Sequence, residues 1–140
     1  MKKIMLIGKS GCGKTTLVQA ILNKELISKK TQSFEYHQCI LDTPGEYIEY
    51  RNYIRAIISE AVNYDIIAFL QDATQENCIF PPNFAYIFSK KVVGIVTKID
   101  VDHCNLKLAE ECLRRAGVKE IYYVSSYNKI GIDELRKLLL

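Results

Sequence analysis

Gly8-Lys9-Ser10-Gly11-Cys12-Gly13-Lys14-Thr15 is the run that decides how this chain is read. It matches Gly-x-x-x-x-Gly-Lys-[Ser/Thr], the pattern of a loop that wraps phosphates. Each part answers a chemical need. Glycines let the backbone curl until its N–H groups converge on phosphate oxygens. The helix that follows points its N-terminus, with unpaired N–H groups and partial positive charge, at the same anion. Lys14 brings an ammonium to the β- and γ-phosphates, and Thr15 offers a hydroxyl to Mg²⁺. Gly8, Lys9, Ser10, Gly11, Cys12, Gly13 and Thr16 are expected to bind by their place in the loop and in the first helical turn. The octapeptide follows the apolar run Ile4-Met5-Leu6-Ile7 and precedes a helical pattern, and that strand–loop–helix context separates it from a chance glycine turn.

Working outward, apolar runs alternate with helix-period stretches, the sign of an α/β domain with a mostly parallel sheet. Strands are expected at Ile4–Ile7, Phe34–Leu41, Ile66–Leu70, Val92–Val96 and Ile121–Val124. All but the second are continuous apolar runs, as for strands covered on both faces. The second alternates partly and is expected nearer an edge. Helices are expected at Thr15–Asn23, within Tyr47–Asn63 with Ile54, Ile57, Ile58 and Ala61 on one face, at Asn83–Ser89, at 105–115 with Leu106, Ala109 and Leu113 inward, and from Ile132 with Leu135, Leu138 and Leu139 inward. Gly117 reads as a helix stop. The polar segment Lys24–Gln32 is expected to move when no ligand is bound.

With 140 residues the chain fits one domain, residues 1–140. A 49% hydrophobic and 25% charged composition allows a real core. The net charge is only +3, and no basic run exceeds Lys29-Lys30 or Lys90-Lys91, which argues against nucleic acid as a partner. Five cysteines, an odd number with no Cys-x-x-Cys pair, read as free thiols in a reducing compartment. His103, Cys104 and Cys112 lack the spacing of zinc ligands. The N-terminal apolar run ends at Gly8 and Lys9. It is too short for a secretory leader or a membrane span, so a cytoplasmic protein without membrane insertion is expected.

Two further motifs follow in order. Asp42-Thr43-Pro44-Gly45 closes the second strand, where Asp42 can hold Mg²⁺ through water and Gly45 can offer its N–H to a γ-phosphate. Thr97-Lys98-Ile99-Asp100 closes the strand Val92–Val96 and resembles the Asn/Thr-Lys-x-Asp motif of small GTPases. There the Asp carboxylate accepts from two guanine N–H groups while the Lys stem lies along the base. Adenine has neither donor, so a buried Asp would be left unpaired against it. Ser125-Ser126 ends the last strand where such GTPases carry Ser-Ala, whose backbone N–H meets the guanine carbonyl.

Taken together, the motifs look like those of the translation-factor class of P-loop GTPases. Lys30-Thr31-Gln32, the run Asp42–Glu49, Gln71-Asp72-Ala73-Thr74, Phe80-Pro81-Pro82 and the run Gly94–Asp100 resemble the EutP/PduV family. Those are small GTPase-like proteins of bacterial ethanolamine and propanediol utilization, which operates around protein-shelled microcompartments. The resemblance implies the three-layer α/β/α fold of P-loop NTPases in a reduced small-GTPase architecture. It also implies GTP with Mg²⁺ as ligands, ATP less readily, and Thr31 as a switch threonine reaching Mg²⁺ together with Thr15 and Asp42. Lys14, Thr31 and Gly45 would then be the residues of the reaction, and Thr97, Lys98, Asp100, Ser125 and Ser126 those that meet the base. A microcompartment shell or pathway protein would be the partner.

Three departures bear on activity. The stretch between Lys14 and Asp42 is short, so an edge strand and much of the first switch are expected to be missing. Glu46 stands where Ras-like enzymes place a water-orienting Gln. Gly11 stands where potassium-activated GTPases carry Asn. Slow hydrolysis without potassium activation by that route is the expectation. Two other readings use the same loop. One is a phosphotransferase passing a γ-phosphoryl group to a small acceptor such as acetate, with Glu46, Arg51 and Arg55 near it. The other is a binding module docked to a microcompartment shell.

Overall fold

The computed structural model describes residues 2–9, 11–22, 39–43, 45, 48 and 51–140, with residues 51 and 52 as backbone only. Ser10, Thr31, Pro44, Glu46, the expected mobile segment Lys24–Gln32 and most of the expected second strand lie outside the described residues.

Among the described residues five strands appear in chain order: β1 (Ile4–Ile7), β2 (Ile40–Asp42), β3 (Ile66–Asp72), β4 (Lys91–Thr97) and β5 (Glu120–Tyr123). They form one sheet in the order β2-β1-β3-β4-β5, and every neighbouring pair is parallel. Among the described residues four α-helices accompany them: α1 (Lys14–Ile21), α2 (Arg51–Ala61), α3 (Leu106–Arg115) and α4 (Ile132–Leu139). The short helix expected at Asn83–Ser89 is a 3₁₀ turn, Phe84–Ile87.

The apolar runs explain the layers. β1 and β3 sit inside the sheet and are buried along their whole length. Their side chains alternate between two cores. Ile4, Leu6, Ile66, Ala68 and Leu70 pack with Leu17 of α1 and with Ile132, Leu135 and Leu139 of α4. Met5, Ile7, Ile67 and Phe69 pack with Ile57 and Ala61 of α2 and with Ala109 and Leu113 of α3. Phe69 lies against Phe80, with ring centroids 4.5 Å apart, and against Phe84 and Phe88, so the chain after β3 is pinned under the sheet. The result is the α/β/α sandwich expected of a P-loop NTPase.

The edges follow from composition. Among the described residues β2 lies at one edge of the sheet, and it ends at Asp42. β5 is the other edge and is only half-buried, although its apolar run had suggested cover on both faces. β3 runs two residues beyond its apolar stretch, through Gln71 and Asp72, because the ladder to β4 continues to the pair Asp72↔Thr97. In α2, Ile58 is exposed rather than inward: it lies about 100° around the helix from buried Ile57. Leu106 likewise faces out in the first turn of α3. Asn105 caps α3 by accepting from Leu108 N at 3.0 Å. Gly117, at φ 95°, ends α3 with bonds from Gly117 N to Arg114 O and from Val118 N to Leu113 O.

The cysteines correct an expectation. Cys78 and Cys112 are joined in a disulfide, while Cys12, Cys39 and Cys104 are free. The pair is 34 residues apart in sequence. It meets only because the loop after β3 crosses α3, which no local spacing reveals. The argument for a reducing compartment from five free thiols loses that ground, and Cys112 is not available as a metal ligand.

Candidate nucleotide site

All the strands run the same way, so their C-terminal ends share one rim. β1 lies between β2 and β3, where the strand order changes direction, and open α/β sheets bind ligands in the crevice at such a point. A cavity of about 550 Å³ opens there. Two sets of residues line it, one around Lys14 (Gly11, Gly13, Lys14, Thr15, Thr16, Asp42, Thr43 and Gly45) and one around Asp100 (Thr97, Lys98, Asp100, Ser126 and Tyr127). Four segments singled out in the sequence thus meet around one space.

The Lys14 end is built by the loop itself. Gly13 takes φ 99° at the N-cap of α1, a left-handed conformation that strains any other residue. Gly8 passes so close to β3 that an added Cβ would stand 2.7 Å from Cys12 Sγ and 3.1 Å from Leu70 O. Lys14 is buried, and its ammonium donates to Gly8 O at 2.7 Å and Lys9 O at 3.1 Å, bracing the loop from within. Thr15 Oγ1 donates to Asp42 Oδ2 at 2.8 Å. A hydroxyl and a carboxylate in contact beside a phosphate loop are the donor set a Mg²⁺ site of this kind needs, since Mg²⁺ takes one or two protein oxygens and fills the rest with phosphates and water. Among the described residues no group of three His, Cys, Asp or Glu is placed to hold a metal by protein side chains alone. Thr43 anchors the neighbouring turn: its hydroxyl donates to Leu6 O at 2.7 Å.

Cys12 does not face the cavity. Its thiol is buried in the core on the α1 side, and burial raises its pKa above the ordinary value despite the counter-pull of Lys14. The thiol thus packs into the apolar core, and only the backbone of Cys12 belongs to the loop's inner surface.

The Asp100 end is assembled from distant segments. Thr97 Oγ1 donates to Cys12 O at 2.6 Å and ties β4 to the phosphate loop. A hydroxyl at this position therefore makes a link to the loop where Asn is the commoner residue. Lys98 takes φ 61°, and its ammonium reaches Gly11 O at 2.7 Å and Asp72 Oδ2 at 2.7 Å. Asp72 is buried at the end of β3 and also accepts from Thr74 N and Thr74 Oγ1. Burial alone would push its carboxyl up, but the bonds from Lys98 and Thr74 outweigh that and hold it below the usual carboxylate range. Ile99 N donates to Val124 O at 3.4 Å, bringing the next loop alongside. In that loop Ser125 is wholly buried: its N–H goes to Ile130 O and its Oγ accepts from Asn128 N. Ser126, not Ser125, lines the cavity.

Asp72 and Tyr127 escaped the sequence reading. Asp72 was visible only as part of a family-like run; its partnership with Lys98 needs the β3–β4 register. Tyr127 directly follows Ser125-Ser126, and that adjacency was the available signal.

Comparison with known proteins identifies the lineage. The profile of the PduV-EutP family, described as ethanolamine utilisation - propanediol utilisation, matches residues 1–140. The chain belongs to the PduV-EutP family. Within its range, the chain is 38% identical over 136 residues to propanediol utilization protein PduV of Citrobacter freundii, covering 96% of this chain and 91% of that one. It is 26% identical over 138 residues to a protein of Escherichia coli K12 named probable acetate kinase EutP, covering 96% and 87%. The FeoB G-domain from Methanococcus jannaschii superposes with a TM-score of 0.63 at 19% identity, over 98% of this chain and 94% of that one. That likeness shows the fold of a G-domain. No helix among the described residues is long and apolar enough to cross a membrane.

Proposed function

We propose that this PduV-EutP protein binds GTP and GDP with Mg²⁺ as a single domain and hydrolyses GTP slowly, acting as a switch in ethanolamine or propanediol utilisation. One observation carries the reading: a single cavity is lined both by Lys14, Thr15 and Asp42 and by Lys98, Asp100 and Ser126. A triphosphate fits the first set by charge, and a base with two N–H donors fits the carboxylate of the second. Gly8, Lys9, Ser10, Gly11, Cys12, Gly13, Lys14, Thr15 and Thr16 would hold the phosphates. Thr15, Asp42 and Thr31 would hold Mg²⁺, which when bound would supply charge neutralisation between the β- and γ-phosphates. Gly45 would donate its N–H to the γ-phosphate, and Thr97, Lys98, Asp100, Ser125 and Ser126 would shape the base pocket, Ser125 by holding its loop. The family's link to ethanolamine and propanediol utilisation supports a setting beside a microcompartment, and the proposal adds a cytoplasmic location with a shell or pathway protein as partner.

Equilibrium titration with GTP, GDP and ATP, each with and without Mg²⁺, tests the reading. Guanine nucleotides should bind more tightly than ATP, with Mg²⁺ strengthening GTP. Equal affinity for ATP and GTP would contradict it.

A second reading is favoured by the relatives named probable acetate kinase. The γ-phosphoryl group would then pass to a carboxylate oxygen of acetate, giving acetyl phosphate and the nucleoside diphosphate. Of the acceptor residues considered, Arg55 is exposed on α2, while Glu46 and the Arg51 side chain lie outside the described residues. Trapping acetyl phosphate with hydroxylamine separates the readings: hydroxamate formed in step with diphosphate supports transfer, and inorganic phosphate alone supports hydrolysis.

A further inference from the structure

The stretch that follows β3 is tied to α3 along its length. Asn105 N donates to Ala73 O at 2.8 Å, the Cys78–Cys112 disulfide joins the middle, and Asn83 N donates to Arg115 O at 2.9 Å. Its first half also folds back on the end of β3. Thr74 N and Thr74 Oγ1 donate to Asp72 Oδ1, Gln75 N donates to Asp72 O, and Gln71 Nε2 donates to Asn77 O at 3.2 Å. The last of these bonds falls next to Cys78. From Asp72 the contacts continue into the cavity wall. Asp72 Oδ2 holds the Lys98 ammonium, which also reaches Gly11 O in the phosphate loop.

The two sulfurs stand in different surroundings. Cys112 is 2% exposed on the buried face of α3, while Cys78 is half-buried and follows exposed Glu76 and Asn77. Cys78 is therefore the sulfur that a thiolate from solution meets first. The fold does not hang on the bond. Phe80 stacks on Phe69, and Ala85 N donates to Ala116 O at 2.8 Å, so the far end of the stretch is docked independently. What the bond adds is a covalent tie at the middle, beside the turn that rests on Asp72. The chain also keeps Cys12, Cys39 and Cys104 as free thiols. In reducing compartments disulfides are mostly transient, catalytic or redox-sensing.

From this arrangement we infer that Cys78–Cys112 is a reversible thiol–disulfide switch that sets how tightly the cavity holds its nucleotide. The inference rests on the nucleotide reading above and adds regulation to it. A dithiol reductant attacks Cys78 Sγ as a thiolate. The bond between the two protein sulfurs breaks, and Cys112 leaves as a thiolate that takes a proton. The second thiol of the reductant then attacks the mixed disulfide and releases Cys78, which is protonated in turn. Two electrons and two protons reach the protein, the reductant becomes a disulfide, and the reverse exchange closes the bond again. Closed, the bond holds the turn of residues 74–77 against Asp72, and Asp72 keeps Lys98 in place. Open, the turn is free to leave Asp72, and Lys98 is held less firmly at the cavity wall.

The test titrates wild type with GDP after equilibration with oxidised glutathione and again after reduction with dithiothreitol, with C78S and D72N alongside. Alkylation and mass spectrometry report the state of the pair, and circular dichroism reports the fold. Oxidised wild type should bind GDP about fivefold more tightly than reduced, and re-oxidation should restore the tighter binding. C78S should match the reduced form in either buffer. In D72N the difference between the two states should disappear, because the chain of contacts runs through that carboxylate. Equal GDP affinity with the bond shown closed and then open overturns the switch and leaves the nucleotide reading standing. So does a pair that stays alkylatable in oxidised glutathione, or a difference that persists undiminished in D72N. Reduced protein that unfolds also overturns it, since the bond would then serve the fold alone. Wild type that binds no GDP in either state contradicts both the nucleotide reading and this inference.

Discussion

The Lys14 end of the cavity comes from one run of chain, residues 8–16, joined by Asp42 at the tip of the neighbouring strand. The Asp100 end is gathered from three places, with Asp72 closing β3, residues 97–100 following β4, and residues 125–127 following β5. The first holds its shape through its own carbonyls, from Gly8 and Lys9 to the Lys14 ammonium. The second depends on tertiary ties: Thr97 to Cys12, Lys98 to Asp72, Ile99 to Val124. A self-contained anion cradle is the same in any P-loop protein, whereas a pocket pieced together from strand ends can differ from one family to the next. Damage at the first end should remove binding outright, and damage at the second should alter which ligand binds or how firmly the pocket is held.

Lys14→Ala should give the largest effect. Losing charge-assisted contacts to two phosphates should weaken GTP about a hundredfold or more, while thermal unfolding shows a folded protein. Calorimetry that finds GTP affinity unchanged in a folded variant would break the assignment of the phosphate end.

Arg136→Ala probes the far end of the phosphate helix. Arg136 is buried on α4 and donates to Ala20 O at 2.8 Å and Ile21 O at 2.7 Å, the last carbonyls of α1. Arg136 gives these end carbonyls a buried, charged side-chain donor, so truncation should cost about 1–3 kcal/mol of stability. Urea denaturation should show the loss, and an unchanged midpoint would mean that water replaces the guanidinium freely.

Asp72→Asn sharpens the comparison at the other end. It removes the carboxylate that fixes Lys98 and should cost a smaller amount, about 1–2 kcal/mol, because Lys98 is partly open to solvent. The sign with pH is set by the lowered carboxyl pKa. The stabilisation from Asp72 is fully present above the unfolded-state value of about 3.9 and is lost as pH falls through the lower folded value. Wild type and Asp72→Asn should therefore differ in stability at neutral pH and converge in strong acid. A gap that persists in acid would assign the effect to packing instead.

Cys12 should show the least change of all. Its buried, raised-pKa thiol should alkylate slowly with or without Mg-GTP. Mass-spectrometric labelling that finds Cys12 fast, and protected by nucleotide, would mean that the phosphate loop opens far more than its internal bonds suggest.

The same contrast governs what could be read from sequence. The phosphate loop was legible because its chemistry sits in eight consecutive residues, and β1, β3 and β4 were legible because buried parallel strands are apolar throughout. Asp42 and Asp100 were legible through short motifs at strand ends. Asp72 was not, since its meaning lies in the register that sets it opposite Thr97 and beside Lys98. Ser125 and Ser126 were taken together, and only the closed turn shows that the first is a buried strut and the second a cavity wall. The Cys78–Cys112 link depended on a crossing of loop and helix, and the outward turn of Ile58 on how α2 is rolled against the sheet, neither of which a local pattern encodes.

The claim that this cavity reads guanine is tested most directly by exchanging the hydrogen-bond sense at Asp100. Xanthine carries a carbonyl at position 2, where guanine carries an amino group, and so needs a donor where guanine needs an acceptor. Wild type and Asp100→Asn should be titrated with GTP and xanthosine triphosphate under the same Mg²⁺ conditions. The account predicts that wild type prefers GTP, that Asp100→Asn prefers xanthosine triphosphate, and that tripolyphosphate binds both alike. An Asp100→Asn protein that still selects GTP would contradict it.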